Sequence, residues 1–213
     1  QMTPTQGSSP LRSFRIALLV ILPALAAAGV VYGRILGLPA GVLAPILAAF
    51  LWEASFYLVP GFPALWRAMA ERWRPPVLAL GLIGSTAAPY CTYTLPAGLF
   101  QWSGLGLILS ISAAAALCYL CLPRNGRTDA VFLVFMAAVV LTGAFRAIYP
   151  SPAPGVRLEI LGQLMWTRTG ILVMLWFRHM ERTGFGFVPT RAEWVVGLRN
   201  YLYFLPVGLP LAL

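Results

Sequence analysis

Residues 48–63 read AAFLWEASFYLVPGFP, and this stretch decides the fold. Glu53 is a single carboxylate inside an apolar run long enough to cross a bilayer. A charge at membrane depth is costly, so it needs a partner, a water-filled cavity or neutralisation. Two readings stay open at this point: an ion pair that locks two helices, or a group with a function of its own.

The composition agrees with a membrane setting. Of 213 residues, 60% are hydrophobic and 10% charged, and the mean hydropathy is +0.81. A soluble domain needs a polar surface that this chain cannot supply. The expected fold class is all-α, a polytopic transmembrane helix bundle of about seven spans with a short interfacial helix. The formal charge of +9 comes from arginine alone. Those arginines sit mostly between apolar runs, so they report orientation, and nucleic acid is not an expected partner.

Residues 1–15 form a polar cytoplasmic tail in this reading, and 16–213 form one transmembrane helical domain. The first apolar run, from Ile16, resembles a signal peptide around Ala26–Ala28 but continues to Leu36, which favours an uncleaved helix. Gly29, Gly33 and Gly37 recur every four residues, either as a smooth stripe for close helix approach or by chance spacing. The second span, about 38–59, carries Glu53. Residues 64–74 follow with Leu65, Met69 and Trp73 on one helical face and Arg67, Glu71 and Arg74 on another, the pattern of a helix lying in the membrane interface. Further spans are expected at about 76–99, 104–122, 130–149, 158–177 and from Trp194 onward.

Alternate flanks place Arg12, Arg15, Arg67, Arg72, Arg74, Arg124, Arg127, Arg178, Arg182 and Arg191 on one side, and Arg34, Arg146 and Arg157 on the other. The richer side is expected to be cytoplasmic, with the amino terminus, in a bacterial inner membrane.

Conventional catalytic constellations are missing. The chain has one histidine, His179, and six carboxylates, none adjacent in sequence to another, which excludes a two-histidine zinc motif. His179 reads as a solvated interfacial side chain or, more sharply, as a cofactor-binding ligand to a pigment metal supplied by a larger complex. Cys118 and Cys121 form a CxxC at a span end with no further ligand nearby, so no metal is assigned. The seven tryptophans mostly fall near span ends, as interfacial anchors do.

Residues 181–211, ERTGFGFVPTRAEWVVGLRNYLYFLPVGLPL, carry an Arg, a Gly-Phe pair, an F-x-P-T, an acidic-Trp pair and a Gly-Leu opening a helix. The stretch resembles the one ahead of the catalytic helices in bacterial members of the CAAX-protease and bacteriocin-processing (CPBP) family of intramembrane endopeptidases. WEASFYLVPGFP, residues 52–63, is similar to the amino-terminal span of longer members. The resemblance implies an intramembrane endopeptidase, whose water is activated through a Glu-Glu-x-x-x-Arg motif with Phe-x-x-x-His and His-x-x-x-Asn/Asp motifs on later helices. None of these motifs occurs here, so no catalytic residue is carried over.

The apolar end at Leu213 and the start at Gln1 point to a piece of a longer protein. Three functions remain open: the non-catalytic amino-terminal half of such a protease, a structural or accessory subunit binding lipid, pigment or neighbouring subunits, and, less strongly motivated, a transporter. The lipid bilayer and other membrane subunits are the expected partners.

Helix geometry sharpens the opening question. Glu53 lies about 10 Å from the end of its span at Pro60, Arg168 about 14 Å from Phe177, and Arg199 about 8 Å into the last span. The three share one half of the bilayer, so Glu53 is expected to form a buried ion pair with Arg168 or Arg199.

Overall fold

The computed structural model describes residues 10–152, 156–179, 194–196, 198 and 199. They contain helices and turns and no strand. In chain order the helices are α1 (Pro10–Ile35), α2 (Ala40–Tyr57), α3 (Pro63–Arg72), α4 (Pro75–Thr94), α5 (Trp102–Cys121), α6 (Gly126–Leu141), α7 (Ala144–Ile148) and α8 (Glu159–Trp176), with a 3-10 turn at Val59–Gly61.

Three of them, over 11–35, 40–61 with the 3-10 turn included, and 102–121, are long and apolar enough to cross a membrane. The others differ for physical reasons. Helix α4 is diluted by Ser85, Thr86, Tyr90, Thr92 and Tyr93, α6 has only 16 residues, and α8 carries Glu159, Gln163 and Arg168. The polar groups at the heart of α4 and α8 face inward: Thr86, Arg168 and Thr169 are fully buried, whereas Leu141 is 84% and Trp102 79% exposed. Charge inside and large apolar side chains outside reverse the arrangement of a water-soluble protein and suit a lipid surround.

Helix α8 is the axis of the bundle. It packs against α2, α4, α5 and α7, with α3 and α6 also touching it, and most of its length is buried. Helix α1 is peripheral, resting on α2 and α3. There the glycine spacing finds its use: a Cβ on Gly29 would stand 2.3 Å from Leu47 Cδ2, and one on Gly33 2.5 Å from Leu43 Cδ1. Gly37 has a different task, taking φ +66° in the turn into α2.

Several expected boundaries move. Helix α1 starts at Pro10, ahead of the apolar run from Ile16, so Arg12 and Arg15 lie on its first turns. Helix α4 stops at Thr94 instead of running to 99, and Gly98 turns the chain at φ +68°. The run 130–149 is two helices, because Gly143 adopts φ +69° after Thr142 and ends α6. Trp66 supplies the buried anchor of α3, with Met69 half-buried beside it and Trp73 exposed. The expected last span lies largely outside the described residues.

Candidate functional site

Glu53, on α2, and Arg168, on α8, meet at the centre of the bundle. Arg168 Nε donates to Glu53 Oε1 at 2.7 Å and Nη2 to Oε2 at 3.2 Å, a bidentate fork in which both side chains are almost wholly buried. The remaining edge of the guanidinium turns to α4, where Nη1 donates to Ser85 Oγ at 2.8 Å and Nη2 to the Ser85 carbonyl at 3.5 Å. Ser85 Oγ in turn donates to the Leu82 carbonyl at 2.7 Å. The Phe56 ring covers the cation, its centroid 5.3 Å from Cζ.

The sequence makes that carbonyl available. Pro89 sits inside α4, four residues after Ser85. Having no N–H, it cannot close the helical bond to the Ser85 oxygen. The oxygen thus freed faces Arg168, so a proline in one helix completes the solvation of a cation in another.

Arg199, the other candidate partner, is exposed on a helical stretch near Trp194 and takes no part in this pair. The depth argument does not distinguish it from Arg168 because depth along a helix says nothing about which face points inward. Ser85 and Phe56 are site residues that the sequence reading did not single out. A small hydroxyl residue four places before an intrahelical proline was the available signal.

The pair forms a wall between two grooves. One, of about 950 Å³, runs between α1, α2 and the start of α8, with Glu53 on its wall and Arg157 at one end. The other, of about 440 Å³, opens among α2, α3, α4 and α8, with Ser85 and Arg168 on its wall and Trp73 and Trp176 lining it. Further polar contacts tie the same helices: Ser112 Oγ donates to Thr86 Oγ1 at 3.1 Å between α5 and α4, and Tyr93 Oη to the Pro150 carbonyl at 2.7 Å.

A second charged cluster gathers the end of α5, the start of α6 and the second residue beyond α8. Arg178 Nε donates to Asp129 Oδ1 at 2.8 Å and Nη2 to Oδ2 at 3.3 Å, while Tyr119 Oη donates to Oδ1 at 2.9 Å. The hydrogen bond from Arg178 holds the Asp129 carboxyl below its ordinary range against a smaller opposing effect of burial, and that from Tyr119 adds to it. The same contact raises the Arg178 guanidinium. Asn125 starts α6 by accepting from the Thr128 N–H at 3.0 Å. Arg146, largely exposed, and Glu159, partly covered, form a third pair at 3.2 Å.

His179 follows this cluster, exposed and at φ +57°. Among the described residues no three His, Cys, Asp or Glu side chains gather to hold a metal. Cys91, Cys118 and Cys121 are free thiols. The tryptophans depart from a purely interfacial role: Trp166 is buried and donates to the Met136 carbonyl at 2.9 Å, and Trp176 donates to the Trp66 carbonyl at 3.2 Å. Comparison of the chain with protein-family models, with curated proteins and with solved structures finds no match.

Proposed function

We propose that this chain is a helical scaffold of about seven spans in a bacterial inner membrane, with its amino terminus and arginine-rich loops cytoplasmic. In this reading it is a non-catalytic membrane region akin to the amino-terminal half of CPBP-type intramembrane endopeptidases, working alongside other membrane subunits and lipid. The carrying observation is the engagement of its buried charges. Activating a water requires a carboxylate or imidazole free to accept a proton. Glu53 instead has both oxygens held by Arg168, and the guanidinium is further engaged by Ser85 and Phe56. An arrangement with both buried charges committed fits a lock better than a relay.

The same observation weighs against transport, because a substrate or proton carrier needs a charge that can change partners. A role as an accessory subunit draws support from the exposed apolar surfaces of α1 and α6, including Leu19, Ile35, Val134 and Leu141. A pigment or lipid held near His179 belongs to that second reading.

Proteoliposomes containing the purified chain test the proposal. Neither proton flux under an imposed potential nor cleavage of a fluorogenic peptide should exceed that of empty liposomes. Flux or cleavage that disappears in Glu53→Gln would overturn it. Reporters fused after Arg127 and after Pro154 should lie inside and outside the cell respectively, and the reverse pattern would overturn the orientation.

A further inference from the structure

We infer that the groove between α1, α2 and the start of α8 is a binding site for one anionic phospholipid, its acyl chain lying against α2 and its phosphate at Arg157. The inference rests on the reading of a membrane-embedded bundle and adds a specific ligand to it.

The groove's size, about 950 Å³, lies at the upper end of the roughly 300–1,000 Å³ of small-molecule sites. Helix α8 contributes a wall only at Ile160 and Leu164, with Val156, Arg157 and Leu158 lining the groove just ahead of it. This three-walled part therefore extends about 8 Å along α8, within a single leaflet of a hydrocarbon core about 30 Å thick. Leu43, Leu47, Ile160 and Leu164 make it apolar. Among the described residues Glu53 is the only carboxylate lining it, and Arg168 already holds both of its oxygens. A peptide segment placed here would bring N–H and C=O groups with nothing to satisfy them, whereas an acyl chain brings none.

The end of the groove supplies the headgroup chemistry. Arg157 is exposed, lines the groove just before α8 begins, and has no acidic partner among the described residues. Arg34, in the last turn of α1 between the groove-lining Gly33 and Leu36, adds positive charge beside the groove. A phosphodiester is the group a free guanidinium at a membrane surface recognises.

Native mass spectrometry of the full chain in a mild detergent, given equal dioleoylphosphatidylglycerol and dioleoylphosphatidylcholine, tests this. One retained lipid is expected, with the anionic one favoured about five-fold. Arg157→Gln should bring the preference close to parity. Ala28→Trp, from an exposed groove position on α1, should abolish retention of both lipids. Leu164→Trp should do the same from α8, so the test does not depend on one variant folding. Leu19→Trp on the outer face of α1 should leave the wild-type pattern. Equal retention of the two lipids by the wild type, or retention unchanged in both groove-filling variants, overturns the site. Displacement of the lipid by inorganic phosphate also overturns it, by assigning the arginine to free phosphate. Flux or cleavage in the liposome experiment would sink the scaffold reading without changing this retention pattern, and absent retention would leave that reading standing.

Discussion

Glu53→Gln keeps the shape of the side chain and removes its charge, leaving Arg168 buried beside a neutral amide. The two bonds at stake are 2.7 and 3.2 Å long. Glutamine keeps one acceptor oxygen and turns the other into a donor facing the guanidinium, so at roughly 1.5–3 kcal/mol for a hydrogen bond to a charged group, one bond lost and one weakened come to about 3 kcal/mol. Stranding one partner of a buried pair independently suggests about 3–5 kcal/mol. Ser85 and Phe56 remain in place to soften the loss, so the lower figures are the better expectation. For a chain of this size each kcal/mol moves Tm by about 2–4 °C, giving a fall of about 6–20 °C. Thermal unfolding in detergent, followed by tryptophan fluorescence, reads it. Glu53→Met combined with Arg168→Met removes the stranded cation and should recover at least half of the fall, because an apolar replacement of both partners is commonly neutral. Arg168→Lys should be intermediate, since an ammonium cannot fork to two oxygens and reach Ser85 at once. A Glu53→Gln variant within about 2 °C of wild type, or a double variant no more stable than the single, would refute a stabilising pair.

Ser85→Ala removes the Nη1 acceptor of Arg168 and should cost about 1.5–3 kcal/mol in unfolding by denaturing detergent, with a smaller effect in an Arg168→Met background. Gly162→Ala should destabilise more than Gly29→Ala: its Cβ meets the Phe145 ring and Cβ at 2.5–2.9 Å, whereas Gly29 faces the mobile tip of Leu47. About 1–3 kcal/mol is expected for the former, and equal melting temperatures for the two variants would count against the packing. Asp129, whose carboxyl is lowered by Arg178, contributes stability above its unfolded value of 3.8 and loses it as pH falls through the lowered native value. The melting-temperature gap between wild type and Asp129→Asn should therefore be full well above the unfolded value of 3.8 and close as the pH falls through the lowered native value. A gap independent of pH would mean that the ionised contact contributes nothing.

What could be read from the sequence followed the cost of each feature. A carboxylate and a guanidinium at similar depth declare themselves because leaving either alone in an apolar run is expensive. Ser85 and Phe56 carry no such cost and were silent, although Pro89 marks the carbonyl that Arg168 uses. Hydropathy found the approximate extents of α2, α5 and α8 but merged α6 and α7, since it averages over Gly143 and cannot see a left-handed residue. The pairing of Asp129 with Arg178 was equally hidden. Both lie at helix ends 49 residues apart, where position in three dimensions depends on how α6 and α8 pack and not on either segment alone.

The Glu53–Arg168 contact spans 115 residues of chain. A ribosome elongating at about 5–20 residues per second needs roughly 6–23 s to make that intervening length. Glu53 thus emerges on α2 well before its counterion exists, and the carboxylate must be accommodated by water, lipid headgroups or the insertion machinery until α8 arrives. Among the described helices, the last to reach the centre is the one that releases the second from this provisional state. Ion pairing consequently makes assembly of the bundle sensitive to the order and timing of synthesis: a pause between α7 and α8 would lengthen the life of an incomplete intermediate, and release from the insertion site would wait on a single arginine.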